Sequence, residues 1–126
     1  MRYQTDRQRV EGLGSAKDGT HEWWQQRLTA VALVPLAILF VVPLARAIGA
    51  DYDEVLAIYQ SPFNAIIAVL FYLTIMAHLR QGLQEVIVDY VHGKATLTTA
   101  LLANTLFTTL IGVIGVFSIA KIAFGG

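Results

Sequence analysis

Charged residues vanish from this chain in three long stretches. Leu28 to Ala45 runs 18 positions without Asp, Glu, Lys or Arg, Val55 to Leu79 runs 25, and Ala95 to Ala120 runs 26. A helix needs about 20 largely apolar residues to cross the ~30 Å hydrocarbon core of a bilayer. The second and third stretches meet that length outright, and the first does so with its flanks. The pattern predicts an all-α membrane protein with three transmembrane helices, over roughly 22–48, 62–92 and 97–124. Residues 1–19 form a polar amino-terminal arm suited to docking on a soluble partner, and residues 20–126 form the membrane domain.

The residues between the apolar runs support these boundaries. Ser61-Pro62 can cap and begin the second helix, because proline suits the first helical position. Gly93 follows the last periodic residue and fits a carboxyl-terminal cap. Pro35 and Pro43 are expected to bend the first helix, with neighbours or water repairing the lost hydrogen bonds. Residues 52–60 can form a short interfacial helix that places Tyr52 and Tyr59 at headgroup depth. A polar segment of 27 residues precedes the first apolar run, which fits a signal anchor better than a removed presequence.

Composition agrees with a membrane setting. The chain of 126 residues is 56% hydrophobic and 14% charged, with a mean hydropathy of +0.57. Soluble domains average about 25% charged residues. Nine basic and nine acidic residues cancel, so net charge gives no nucleic-acid footprint. The chain contains no cysteine, which excludes disulfides, iron–sulfur ligation and thiolate zinc within it. Nor does it carry a Gly-rich dinucleotide fingerprint.

Basic residues suggest an orientation. Arg2, Arg7, Arg9, Lys17 and Arg27 precede or open the first helix, and Arg80 and Lys94 flank the second loop. The first loop pairs Arg46 with Asp51, Asp53 and Glu54, and the tail holds only Lys121. The positive-inside rule then places the amino terminus and second loop inside and the carboxyl terminus outside. Trp23 and Trp24 fit an aromatic belt at the membrane surface, and His92 fits a solvated loop.

Two stripes carry candidate chemistry. On the third helix, Thr105, Thr108, Gly112 and Gly115 recur at spacings of three and four, which reads as close helix packing and more weakly as a polar pathway. On the second, His78, Gly82, Glu85 and Asp89 fall at offsets of 0, 4, 7 and 11, about 16 Å from first to last. Gly82 leaves space for a flat macrocycle one turn from His78. One reading is a histidine bonded to another helix, with the acids simply leaving the membrane. The other is a redox cofactor below a proton-linked pocket, since intramembrane ionisable residues are costly and mark function.

His78-Leu-Arg-Gln-Gly82, followed by Val88-Asp89-Tyr90-Val91, resembles the smaller membrane-anchor subunits of succinate dehydrogenase, respiratory complex II. Gly19-Thr-His21, with Arg27 six residues beyond that histidine, is similar to the same family. The resemblance spans residues 19–91, and the three-helix layout extends it to the end.

This resemblance implies a bundle packed with a second membrane-anchor subunit around a shared haem b, carrying an iron–sulfur subunit and a flavoprotein subunit. Electrons from succinate would pass through flavin and iron–sulfur clusters to a quinone, ubiquinone being expected. It implies that His78 is an axial ligand of the haem iron and that Tyr90 hydrogen-bonds a quinone carbonyl, with Asp89 orienting the site or assisting proton delivery. His21 and Arg27 become candidates for the haem propionates. Six helical residues separate those two by about 240°, so they converge only if His21 lies in a turn before the helix. An interfacial arginine and a surface histidine remain open for them. The family implies a bacterial cytoplasmic membrane or a mitochondrial inner membrane. A fumarate reductase anchor, or a non-redox scaffold or transporter subunit, remains the alternative.

Overall fold

The computed structural model describes residues 16–125, with side chains from Thr20 onward. All regular structure among them is helical: α1 (Ala16–Ala47), α2 (Tyr52–Gln60), α3 (Pro62–Tyr90) and α4 (Lys94–Ala123). The helices α1, α3 and α4 are each long and apolar enough to cross a bilayer. The polar arm expected over 1–19 lies outside the described residues up to position 15, and from Ala16 onward the backbone is already helical. α1 therefore starts about a turn and a half before the expected position.

Local chemistry accounts for the remaining ends. α2 is capped by Asp51, whose carboxylate accepts from the Glu54 N–H at 3.0 Å, and Asp53 and Glu54 complement the positive end of that helix. Ser61 occupies the cap position of α3 with Pro62 in the first turn, but its side chain makes no capping bond. Asn64 instead ties the junction by donating to the Ile58 carbonyl at 3.0 Å. The expected role of Gly93 needs correction. α3 stops at Tyr90 and is capped by Val91, so Gly93 falls at the start of α4 with φ 108°, a backbone conformation that L side chains rarely adopt. α1 runs as one helix through both Pro35 and Pro43.

α3 is the central element. It packs against α1 on one side and α4 on the other, whereas α1 and α4 touch each other little. α2 lies across one end against all three. Burial there pushes the Tyr59 phenol pKa up. The buried hydrophobic residues Ala65, Ile67, Ala68 and Met76 belong to α3, and Pro43 of α1 is buried as well. Long apolar faces of α1 and α4, including Val31, Val34 and Ile38 on one and Leu106, Leu110 and Val113 on the other, are exposed. Such faces suit lipid or another apolar helix, because tails are as apolar as leucine.

Specific contacts fix each seam. Phe40 of α1 stacks on Phe71 of α3 with centroids 4.5 Å apart. On the other side, Asn104 Nδ2 donates to the Arg80 carbonyl at 3.0 Å, and the Tyr72 hydroxyl donates to the Ile111 carbonyl at 2.6 Å. The stripe on α4 therefore serves packing within the chain, with one substitution in its membership. Asn104, Thr108 and Gly112 are buried, while Thr105 faces outward. Asn104 spaces four residues from Thr108, which keeps it on the same face as Gly112.

Gly115 completes this seam. A Cβ placed there would overlap the Tyr72 ring. Gly115→Ala must swing the ring away and break its bond to Ile111, so it should cost about 1–3 kcal/mol, the usual range for overpacking. Tyr72→Phe should cost about 0.5–1.5 kcal/mol in the wild type and almost nothing more in the Gly115→Ala background. Loss of folded protein on heating in detergent micelles measures both; additive losses would contradict this coupling.

Candidate functional site

The seam between α1 and α3 is polar toward the start of α1 and the end of α3. Thr29 of α1 lies halfway between the exposed start of that helix and its prolines, and its hydroxyl meets His78 Nδ1 of α3 at 3.0 Å. The same hydroxyl lies 3.0 Å from the Gln25 carbonyl, 3.0 Å from the Gln26 carbonyl and 3.3 Å from Gln81 Oε1. His78 is half-buried, and no described residue bonds its Nε2. The imidazole that looked isolated in the sequence is thus held from one side and open on the other.

A cleft of about 760 Å³ opens along the same seam. At the depth of His78 its wall is formed by Thr29, Ala77 and Gln81, though not by the imidazole itself. Toward the helix ends it is lined by His21, Glu22 and Gln25 from α1 and by Arg80, Gln84, Glu85 and Asp89 from α3. The spacing of 77, 81, 84, 85 and 88 is one face of a helix, which is why α3 presents these groups together. Gln84 Nε2 donates to Glu22 Oε1 at 2.9 Å across the cleft, and Gln25 Nε2 donates to His21 Nε2 at 2.9 Å along its wall. The beginning of α1 and the end of α3 therefore share one end of the bundle.

The candidate residues separate in an informative way. His21 and Asp89 line the cleft; Arg27 and Tyr90 do not. Because α1 begins at Ala16, His21 is inside the helix and not in a preceding turn. The condition for convergence with Arg27 fails, and Arg27 instead sits over the Trp23 ring at 4.4 Å, with Trp24 edge-on to Trp23. The cation at the cleft is Arg80, two residues past His78, which the sequence marks as a basic flank of the second loop and as part of the His78–Gly82 motif. Its signal was position: Arg80 interrupts α3 at the end of the apolar run, on the face continued by Gln84. Tyr90 is 79% exposed at the last turn of α3, and His92 is exposed beyond it. Gly82 faces α1, where a Cβ would stand 3.7 Å from Gln26 Nε2, an ordinary contact with the end of a flexible side chain.

Chemically, the seam offers a lone imidazole nitrogen inside a membrane span and carboxylates with one guanidinium nearer the surface. Among the described residues, no three His, Asp or Glu side chains gather as a metal cage. A single nitrogen suits a cofactor that brings most of its own coordination, with protein supplying axial positions.

Residues 1–119 match the family described as succinate dehydrogenase/fumarate reductase transmembrane subunit. A succinate dehydrogenase hydrophobic membrane anchor subunit from Paracoccus denitrificans is 38% identical over 125 residues, covering 99% of this chain and 96% of that protein. A subunit of the same description from Rickettsia bellii is 29% identical over 81% of this chain and 82% of its own length. The succinate dehydrogenase membrane anchor subunit of Reclinomonas americana is 30% identical over 64% of this chain and 69% of its own length. No solved structure matches the chain significantly. The chain belongs to the succinate dehydrogenase/fumarate reductase transmembrane subunit family, and it is a multi-pass membrane protein.

Since His21 and Arg27 occupy different faces of α1, roughly 9 Å apart along the axis, they should act independently. Thermal stability of the solubilised protein should fall additively for His21→Ala and Arg27→Ala, within about 0.5 kcal/mol in a double-mutant cycle. A coupling well above that would show that the two side chains share a partner.

Proposed function

We propose that this chain is the hydrophobic membrane anchor of a succinate:quinone oxidoreductase, in which it supplies one axial nitrogen to a haem b and part of the quinone-reduction site. The observation that carries the reading is His78: an imidazole inside a span, held through Nδ1, with Nε2 unbonded among the described residues. The donor set fits haem, since a haem iron takes His axial ligands without a protein cage. The other histidines are His21, engaged with Gln25, and His92, exposed beyond α3. A second nitrogen for the haem iron would therefore come from a second anchor subunit. Haem b, when bound, would supply one-electron storage.

The residues of this chain do the rest by holding and orienting. Arg80 and His21 at the cleft are positioned to take haem carboxylates, Arg80 through the fork geometry of its guanidinium. Arg27, stacked on Trp23, acts as a surface anchor. Tyr90 projects from the last turn of α3, where a quinone head group between lipid and a docked iron–sulfur subunit could accept its O–H. Asp89, one residue back and lining the cleft, orients that network. The chain carries no flavin fingerprint and no cysteine, so succinate oxidation belongs to flavoprotein and iron–sulfur partners docked at the end where α1 begins. The exposed apolar faces of α1 and α4 suit the second anchor and lipid. The positive-inside rule sets that docking end inside a bacterial cytoplasmic or mitochondrial inner membrane. Family membership favours this redox assembly over a transporter or scaffold; a fumarate reductase anchor would share the same architecture.

In the purified complex, a reduced-minus-oxidised spectrum should show a b-type haem, and His78→Leu should alter or abolish it while succinate oxidation with an artificial acceptor persists. A wild-type spectrum and potential in His78→Leu would refute the ligand assignment.

Tyr90→Phe keeps the ring and removes the donor. Quinone reduction should fall about two- to thirteenfold, the rate equivalent of about 0.5–1.5 kcal/mol for one lost hydrogen bond. Unchanged quinone turnover together with unchanged binding of a quinone-site inhibitor would remove Tyr90 from the site.

A further inference from the structure

We propose that Thr29 is the positioning residue for His78: its hydroxyl accepts a hydrogen bond from Nδ1–H and thereby leaves the lone pair on Nε2. This rests on the reading of His78 as a haem ligand. The argument is one of proton count. A threonine hydroxyl has one proton and two lone pairs. Around Thr29 Oγ1 stand the Gln25 carbonyl at 3.0 Å, the Gln26 carbonyl at 3.0 Å, Gln81 Oε1 at 3.3 Å and His78 Nδ1 at 3.0 Å. The first three are acceptors only. Of the four groups, only the imidazole can donate.

The single Thr29 proton goes to a carbonyl of its own helix, the usual back-bond of a helical threonine. The bond between Thr29 and His78 then runs from ring to hydroxyl. An imidazole protonated on Nδ1 carries its lone pair on Nε2, the form that binds metal. Thr29 is β-branched and its hydroxyl is tethered to the turn below, so the acceptor is fixed in direction before any ligand arrives. The bond also makes the imidazole a stronger electron donor, as partners of metal-bound histidines generally do. A stronger donor favours ferric over ferrous iron and lowers the haem potential.

The test uses the whole assembled complex carrying wild-type, Thr29→Val, Thr29→Ser or His78→Leu chains, read by haem content, midpoint potential and low-spin electron paramagnetic resonance. Thr29→Val keeps the branched shape and removes the acceptor. It should raise the haem midpoint potential, shift the low-spin g values and weaken haem retention by about 10- to 100-fold. Thr29→Ser keeps the hydroxyl and should hold all three near wild type. Equal shifts in Val and Ser would mean that packing, not the hydroxyl, matters, and would overturn the proposal. So would a Val complex with wild-type potential and g values while His78→Leu loses the haem signal. If His78→Leu itself leaves the spectrum unchanged, it is the ligand assignment that fails. Should the Val complex not assemble, Thr29→Ala removes the same acceptor without the branched bulk and is judged by the same two readings.

Discussion

Inside a bilayer a polar side chain must find its partner in protein, because the hydrocarbon offers none. The arrangement of this chain follows from how α3 meets that constraint on two sides at once. Toward α1 it presents His78 and Gln81 to Thr29. Toward α4 it offers the Arg80 carbonyl to Asn104 and receives the Ile111 carbonyl for the Tyr72 hydroxyl. Hydrophobic burial cannot align helices in lipid as it does in water, so small residues and directional bonds set their register. Thr108, 3% exposed, and Asn104, 8% exposed, are therefore more deeply buried than most of the large apolar side chains. The contrast with a soluble protein is complete, and it leaves α1 and α4 free to face other apolar surfaces.

The two polar seams differ in what they leave over. On the α4 side nearly every group is matched by a backbone carbonyl; Asn104 Oδ1 is the buried oxygen there without a partner among the described residues. On the α1 side the ring nitrogen of His78 is unspent, and a cleft extends from its depth to Asp89. One seam closes the fold and the other stays available. That asymmetry lets the chain pack around α3 while an imidazole nitrogen and a polar cleft stay available on the α1 side.

How much of this was legible beforehand depends on the kind of signal each residue sends. Spans are set by the absence of charge over twenty or more positions, which is readable from one chain, and all three appeared close to their expected places. Helix ends were less legible: the polar residues of the arm gave no hint that α1 would begin at Ala16, because helix initiation there has no apolar periodicity to announce it. His78, Asp89 and His21 were conspicuous because ionisable residues are rare near or in membranes. Thr29 and Tyr72 were invisible for the opposite reason. A hydroxyl within an apolar run is common and cheap, and only its partner across the seam, 49 or 39 residues away in sequence, gives it a role.

The same reasoning separates His21 from Arg27. A motif read along the chain places residues close together, but a helix distributes them around its axis, and six positions leave two side chains on different faces. Arg80 and His21 are 59 positions apart, yet both line one cleft because α1 and α3 run antiparallel across it. The site is a property of the α1–α3 seam, and neither helix contains it. It follows that the role of a single residue here is best judged by its partner on the facing helix: His78 by Thr29 and Gln84 by Glu22, whereas exposed Tyr90 meets no facing helix among the described residues.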